Sequence, residues 1–147
     1  MIMKKGFTLV ELLVVASIIS MLAVVGIASF ITLTQQSRDV RRKADIEQIR
    51  SALEMYKNAN PANTYPPSVS VGCSATNSPI QFTTVYLQTI PKDPKCSTRE
   101  YRYVTSTDLS DYSLGVAIES KDNSSTTCGT CGSFNCNYCV GPTGERP

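Results

Sequence analysis

From Leu12 to Leu33 the chain is apolar or small-polar without interruption, and no charge reappears before Arg38. As a helix those 22 residues extend roughly 33 Å at ~1.5 Å each, enough to cross the hydrocarbon of a bilayer. An ordinary secretory signal has a shorter apolar core closed by a small-residue cleavage site. This run is longer and carries no such site, so it predicts a single membrane-spanning segment near the N-terminus.

Past Arg38 the pattern changes but the helical period persists. Ile46, Ile49, Leu53 and Tyr56 recur at three- and four-residue steps, an apolar stripe for packing on a globular domain. Charges fall at helical pair spacings: Asp39 with Lys43, Arg41 with Asp45, Lys43 with Glu47, Arg50 with Glu54. Such pairs support an exposed helix face by a few tenths of a kcal/mol each. Asn58, Asn60 and Pro61 stop the helix at about Asn58.

Beyond Pro61 the chain turns to loops and short extended stretches. Tyr101 and Tyr103, then Tyr112, Leu114, Val116 and Ile118, alternate with small or polar residues as half-buried strands do. Thr105 to Asp111 reads as their connection, and Pro91-Lys92-Asp93-Pro94 as turn chemistry. The expected fold is α+β: a long N-terminal helix, its first half membrane-spanning, packed on a small antiparallel sheet with a Cys-rich C-terminal loop. The expected division is a leader at 1–6, a spanning and assembly half of the helix at 7–33, and a globular domain at 34–147 that includes the rest of the helix.

Composition narrows the function. The formal net charge is +2, and Lys4 and Lys5 account for it, so no specific nucleic-acid partner is expected. There is no histidine, which removes Ser-His and Cys-His nucleophile activation and His-ligated zinc. No catalytic residue, cofactor or metal is assigned, and the chain is not read as an enzyme.

Glu11 does not suit a simple anchor. An acid within a membrane helix costs up to about 2.5–3.5 kcal/mol at the centre and less near an end, so a partner is expected. Lys4 and Lys5 could reach it in the intact chain; an amine freed at Phe7 by a cut after Gly6 is the second candidate.

Lys4-Lys5-Gly6-Phe7-Thr8-Leu9-Val10-Glu11 ahead of an apolar helix resembles the class III signal of type IV pilins and type II secretion pseudopilins. Arg42-Lys43-Ala44-Asp45-Ile46, Ala52-Leu53-Glu54-Met55-Tyr56, Tyr65-Pro66 and the stretch Leu87 to Pro94 resemble the same family, so the likeness runs from about Met3 to Ser120. It implies cleavage between Gly6 and Phe7 by a prepilin peptidase, N-methylation of Phe7, and use of Glu11 to align each subunit with its neighbour's N-terminus. It further implies an inner-membrane assembly platform and a homo- or hetero-oligomeric filament. The implied location is the cytoplasmic membrane, single-pass with the C-terminal domain outside, and then a cell-surface or periplasmic filament.

Three features sit uneasily with that likeness. Many pilins carry a proline where this chain has Ala28, so a helix kink there is less expected. The calcium loop of major pseudopilins would fall near Asp108, Asp111 and Asp122, whose surroundings depart from it and read better as surface turns. Arg38, Arg41, Arg42 and Lys43 outnumber Lys4 and Lys5, and a simple Lys/Arg count would leave the C-terminal part in the cytoplasm. The leader and the cysteines point outward and are preferred.

Six cysteines, at 73, 96, 128, 131, 136 and 139, all follow the span. An even count in a small domain suggests disulfides in an oxidising compartment. Closing Cys73 to Cys96 would contribute roughly 3 kcal/mol. The last four form Cys-x2-Cys-x4-Cys-x2-Cys, and Gly129 and Gly132 could let the chain double back, so the expected pairs are nested: Cys128–Cys139 and Cys131–Cys136. The alternatives are a membrane-anchored zinc-binding module, although zinc ribbons separate their knuckles by more, and a thiol-redox module using Cys128-x-x-Cys131, which would need a thioredoxin-like context.

Overall fold

The computed structural model describes residues 6–74, 79–121 and 128–146, apart from the side chains of Val25 and Ala28. Lys4, Lys5, Asp122 and any packing of Ala28 therefore lie outside the described residues. The chain divides into two compact units, Met1–Gln36 and Ser37–Pro147.

Helix α1, Leu9–Ala59, passes through both units and ends within a residue of the expected stop. It is long and apolar enough to cross a membrane. In the first unit the large apolar side chains described between Leu9 and Leu33 are all exposed, from 47% at Val14 to 78% at Leu9. Burying so large an apolar surface requires something other than the subunit's own chain.

In the second unit α1 buries Ile46, Ile49, Ala52 and Leu53 against Leu114, Val116 and Val140 of the sheet and Ile118 just past it. The stripe expected from the period is thus the packing face, with Tyr56 partly buried at its margin. The sheet has four antiparallel strands in the order β3-β4-β7-β8: β3 Arg102–Thr105, β4 Tyr112–Val116, β7 Tyr138–Gly141 and β8 Gly144–Arg146. Thr105 pairs with Tyr112, so the hairpin joins where the alternation placed it. A two-stranded ribbon, β1 Ile80–Gln81 with β2 Val85–Leu87, and another, β5 Thr130–Cys131 with β6 Phe134–Asn135, complete the unit.

Two expectations need correction. The Cys-rich tail is not a loop: it supplies β7 and β8, half of the main sheet, through pairs such as Leu114 with Val140 and Gly115 with Cys139. Short, cysteine- and glycine-rich strands lack the β-branched signature that announces a strand. The second half of α1 also does not present its charges as an exposed i,i+4 ladder. Asp39 pairs with Arg42 and Glu47 with Arg50, both three apart. Asp39 and Arg42 are buried, because loops from the globular domain bring them closer partners than Lys43 offers.

Candidate assembly site

The helix begins in a reciprocal cap. Gly6, Phe7 and Thr8 precede it and are exposed. The Thr8 hydroxyl accepts the Glu11 backbone N–H at 3.2 Å. The Glu11 carboxylate in turn accepts the Thr8 N–H and the Thr8 hydroxyl, each at 2.9 Å. Thr-x-x-Glu at a helix start is a capping box, which satisfies donors the first turn otherwise leaves orphaned. The carboxylate also faces the positive end of the helix dipole. Glu11 thus has a partner within its own subunit, one the spacing Thr8-x-x-Glu11 could have revealed. Phe7, 87% exposed, lines a shallow notch with Glu11, Leu12 and Val15.

In the second unit, three carboxylates gather around Arg42, whose side chain is fully buried. Its guanidinium donates to both oxygens of Asp93, at 2.8 and 3.1 Å, and to Asp39 at 2.8 Å. Its Nη1 also lies 2.9 Å from Glu119. Glu119 accepts two further bonds from Arg38, at 2.8 and 2.7 Å, and one from Lys95 at 2.8 Å. Asp39 accepts the backbone N–H groups of Glu119 and Ser120. Hydrogen bonding from Arg38 holds Glu119 well below the usual carboxylate range, against the opposing effect of burial. Burial disfavours the Arg42 cation, but bonds to Asp93 and Glu119 outweigh it and raise its pKa. Nothing in the local sequence marks Asp93 or Glu119 as partners of a helix residue so far away.

Two more helix acids dock on buried tyrosines. The Tyr101 hydroxyl donates to Asp45 at 2.7 Å, and those of Tyr65 and Tyr112 converge on Glu54 at 3.0 and 3.1 Å. Burial, reinforced by the neighbouring acids, pushes these phenols up, so they remain donors. Asp108 is a turn residue: hydrogen bonds from the Ser106 and Ser110 side chains lower it to about 2. Asp111 is paired with Arg146. Among the described residues no group of three or more Cys, Asp or Glu is placed to hold a metal.

All six cysteines are paired, as Cys73–Cys96, Cys128–Cys139 and Cys131–Cys136, with Cα separations of 5.4, 6.1 and 5.2 Å. The last two are nested. Gly132 supplies the turn between β5 and β6 with φ +72°, where its missing side chain also lets the Thr98 carbonyl approach. Cys131, Cys136 and Cys139 are buried with Ala117 in a second small core on the sheet's outer face, with Cys128 and Phe134 packed against it. This cover explains why Gly115 and Ala117, expected to face solvent by alternation, are buried.

Residues 1–27 match the family model described as the prokaryotic N-terminal methylation motif. The chain is also similar to the type II secretion system core protein G of Pseudomonas aeruginosa, 36% identical over 72 residues, which is 49% of either chain. It thus spans about half the length of that curated relative. No solved structure matches it.

Proposed function

We propose that this chain is a structural, non-catalytic subunit of a type IV pilus-like filament or type II secretion pseudopilus. Its precursor sits in the cytoplasmic membrane with residues 7–33 as anchor and the globular domain outside. A prepilin peptidase cuts between Gly6 and Phe7, Phe7 is N-methylated, and an inner-membrane platform drives assembly. The observation that carries this reading is the junction itself: a methylation motif, an exposed pre-helical Gly6-Phe7 segment, and directly after it a helix whose apolar face has no cover.

The physical role of Glu11 follows. A free α-amine, with pKa about 8, is mostly cationic at neutral pH and can neutralise a carboxylate. A neighbour's Phe7 amine docked one step out of register would leave a charge without its counterpart in apolar surroundings, which is costly. The pair therefore acts on register more than on stability. The disulfides favour this reading over a zinc or thiol-redox module, because they leave no thiolate for a metal and tie Cys128 to Cys139 and Cys131 to Cys136 rather than to each other. Mass spectrometry of the chain from membranes containing the peptidase tests it. The expected N-terminus is Phe7 carrying one methyl group; a chain still beginning at Met1 would overturn the proposal.

A further inference from the structure

We propose that the end of the globular domain carrying Arg38 to Lys43 is an electrostatic seat for anionic phospholipid headgroups on the membrane face where the domain emerges. The inference rests on reading residues 7–33 as a membrane anchor.

The charge distribution is the first observation. Within two helical turns α1 carries Arg38, Arg41, Arg42 and Lys43 against Asp39 alone. The chain packed beside them adds Lys95, bound to the same Glu119 as Arg38 and Arg42, so one carboxylate serves three cations. Lys92 flanks Asp93, and Lys121 shares the Tyr138 ring with Lys43, the two ammonium groups 5.4 and 5.2 Å from its centre. Counting Arg99 as well, and Asp45 and Glu145 on the acidic side, this end holds eight cations against five carboxylates. The rest of residues 37–147 has the opposite bias, four cations against six carboxylates.

Chain length is the second. Along a helix Arg38 lies roughly 7 Å, and Lys43 roughly 15 Å, past Leu33, the end of the apolar run. The headgroup layer on each side of a bilayer is about 5–8 Å deep, and long basic side chains reach back along their stems. Arg41 and Lys43 are exposed on the helix itself, so their long stems can carry the charges back toward the phosphates, and Lys95, bound to the same Glu119 as Arg38, is exposed too. Cations in that position next to a spanning helix are attracted by anionic lipid. A globular domain seated this way is held against the membrane until assembly lifts it, which ties the grip to subunit extraction.

The test uses the full chain reconstituted in phosphatidylcholine vesicles containing spin-labelled phosphatidylglycerol or spin-labelled phosphatidylcholine. The motionally restricted fraction of each probe gives the relative association of the two lipids with the protein. Phosphatidylglycerol should be favoured about threefold or more, the preference falling toward one at high salt. The variant R41Q/K43Q, which leaves the Arg42 cluster intact, should lose most of it. Equal association of both probes with a chain that resists carbonate extraction would overturn this inference and leave the anchor standing. Release by carbonate would overturn the anchor reading and this one with it. Salt-sensitive self-association that rises with protein density, without lipid preference, would assign the surface to a second copy of the chain and likewise overturn the proposal.

Discussion

Arg42 and Asp93, 51 residues apart in sequence, meet in a two-pronged ion pair from which both side chains are shut off from solvent. The pair fastens the helix to the loop between β2 and β3, and Asp39 and Glu119 complete it. Removing one partner of a buried pair costs more than the pair itself contributes, because the other charge stays buried without compensation. Arg42→Ala should therefore destabilise the globular unit by about 3–5 kcal/mol. Urea denaturation of the detergent-solubilised chain, followed by circular dichroism, reads this directly; a loss below about 1 kcal/mol, the scale of a surface pair, would show that the cluster is solvated in practice.

The same cluster sets an acid limit. Glu119 is held below its ordinary value of 4.5, and Asp39 below 3.8, where backbone N–H groups of Glu119 and Ser120 more than reverse the effect of burial. A carboxylate lowered on folding contributes stability that is complete above its unfolded pKa and is lost as pH falls through the folded one. The urea midpoint should be level from neutrality to about pH 5 and decline below that. Glu119→Gln should start lower and decline less steeply, since the group that must be protonated is gone.

How much of this could be read from the residues differs by element. The apolar run and the Ile46-Ile49-Leu53 stripe are local, periodic signals, and the Tyr-rich hairpin alternates where one face is solvated. Arg42 lies four residues before Ile46, in line with the apolar stripe, but an arginine with Asp39 and Asp45 three residues to either side reads as part of an exposed charged face. What buries it is Asp93 and Glu119, which sequence spacing cannot place. The strands at Tyr138–Gly141 and Gly144–Arg146 are short and have Val140 as their only β-branched residue, so their pattern does not announce a sheet. At the helix start the reverse holds: Thr8 and Glu11 announce a capping box by spacing alone, though the class III signal draws attention to Glu11 for another reason.

Glu11 caps its own helix, and under the proposed function it would also pair with a neighbour's amine; a pair of substitutions divides the two. Glu11→Gln keeps an acceptor for the Thr8 N–H, as capping boxes permit, but removes the charge. Glu11→Ala removes both. If charge pairing with a neighbour's amine governs assembly, both variants should be cleaved after Gly6 and retained in the membrane yet yield no filaments. Neither should impair insertion, since the burial cost of the carboxylate disappears. Filament yield by sedimentation or immunoblot of sheared fractions decides it; normal filaments from Glu11→Gln would reduce the residue to a helix cap.

Gly115 offers the sharpest test of the disulfide core. It lies in β4, paired with Cys139, and a side chain there would point straight at the nested bridges. An added Cβ would meet Cys128 Sγ at 2.8 Å and Cys136 Sγ at 2.9 Å, inside any tolerable contact. Neither sulfur can swing aside, because each is tied to a partner and Cys136 is fully buried. Overpacking of this kind costs about 1–3 kcal/mol where a flexible neighbour cannot yield. Gly115→Ala should therefore lower stability by that amount. It should also divert part of the oxidised chain into other pairings of the four C-terminal cysteines. Peptide mapping without reduction distinguishes the connectivities, and the unsubstituted chain should show only Cys73–Cys96, Cys128–Cys139 and Cys131–Cys136. Free thiols in the non-reduced chain, or an alanine variant as stable and as uniquely bridged as the parent, would mean that the bridges do not pack on the sheet at Gly115.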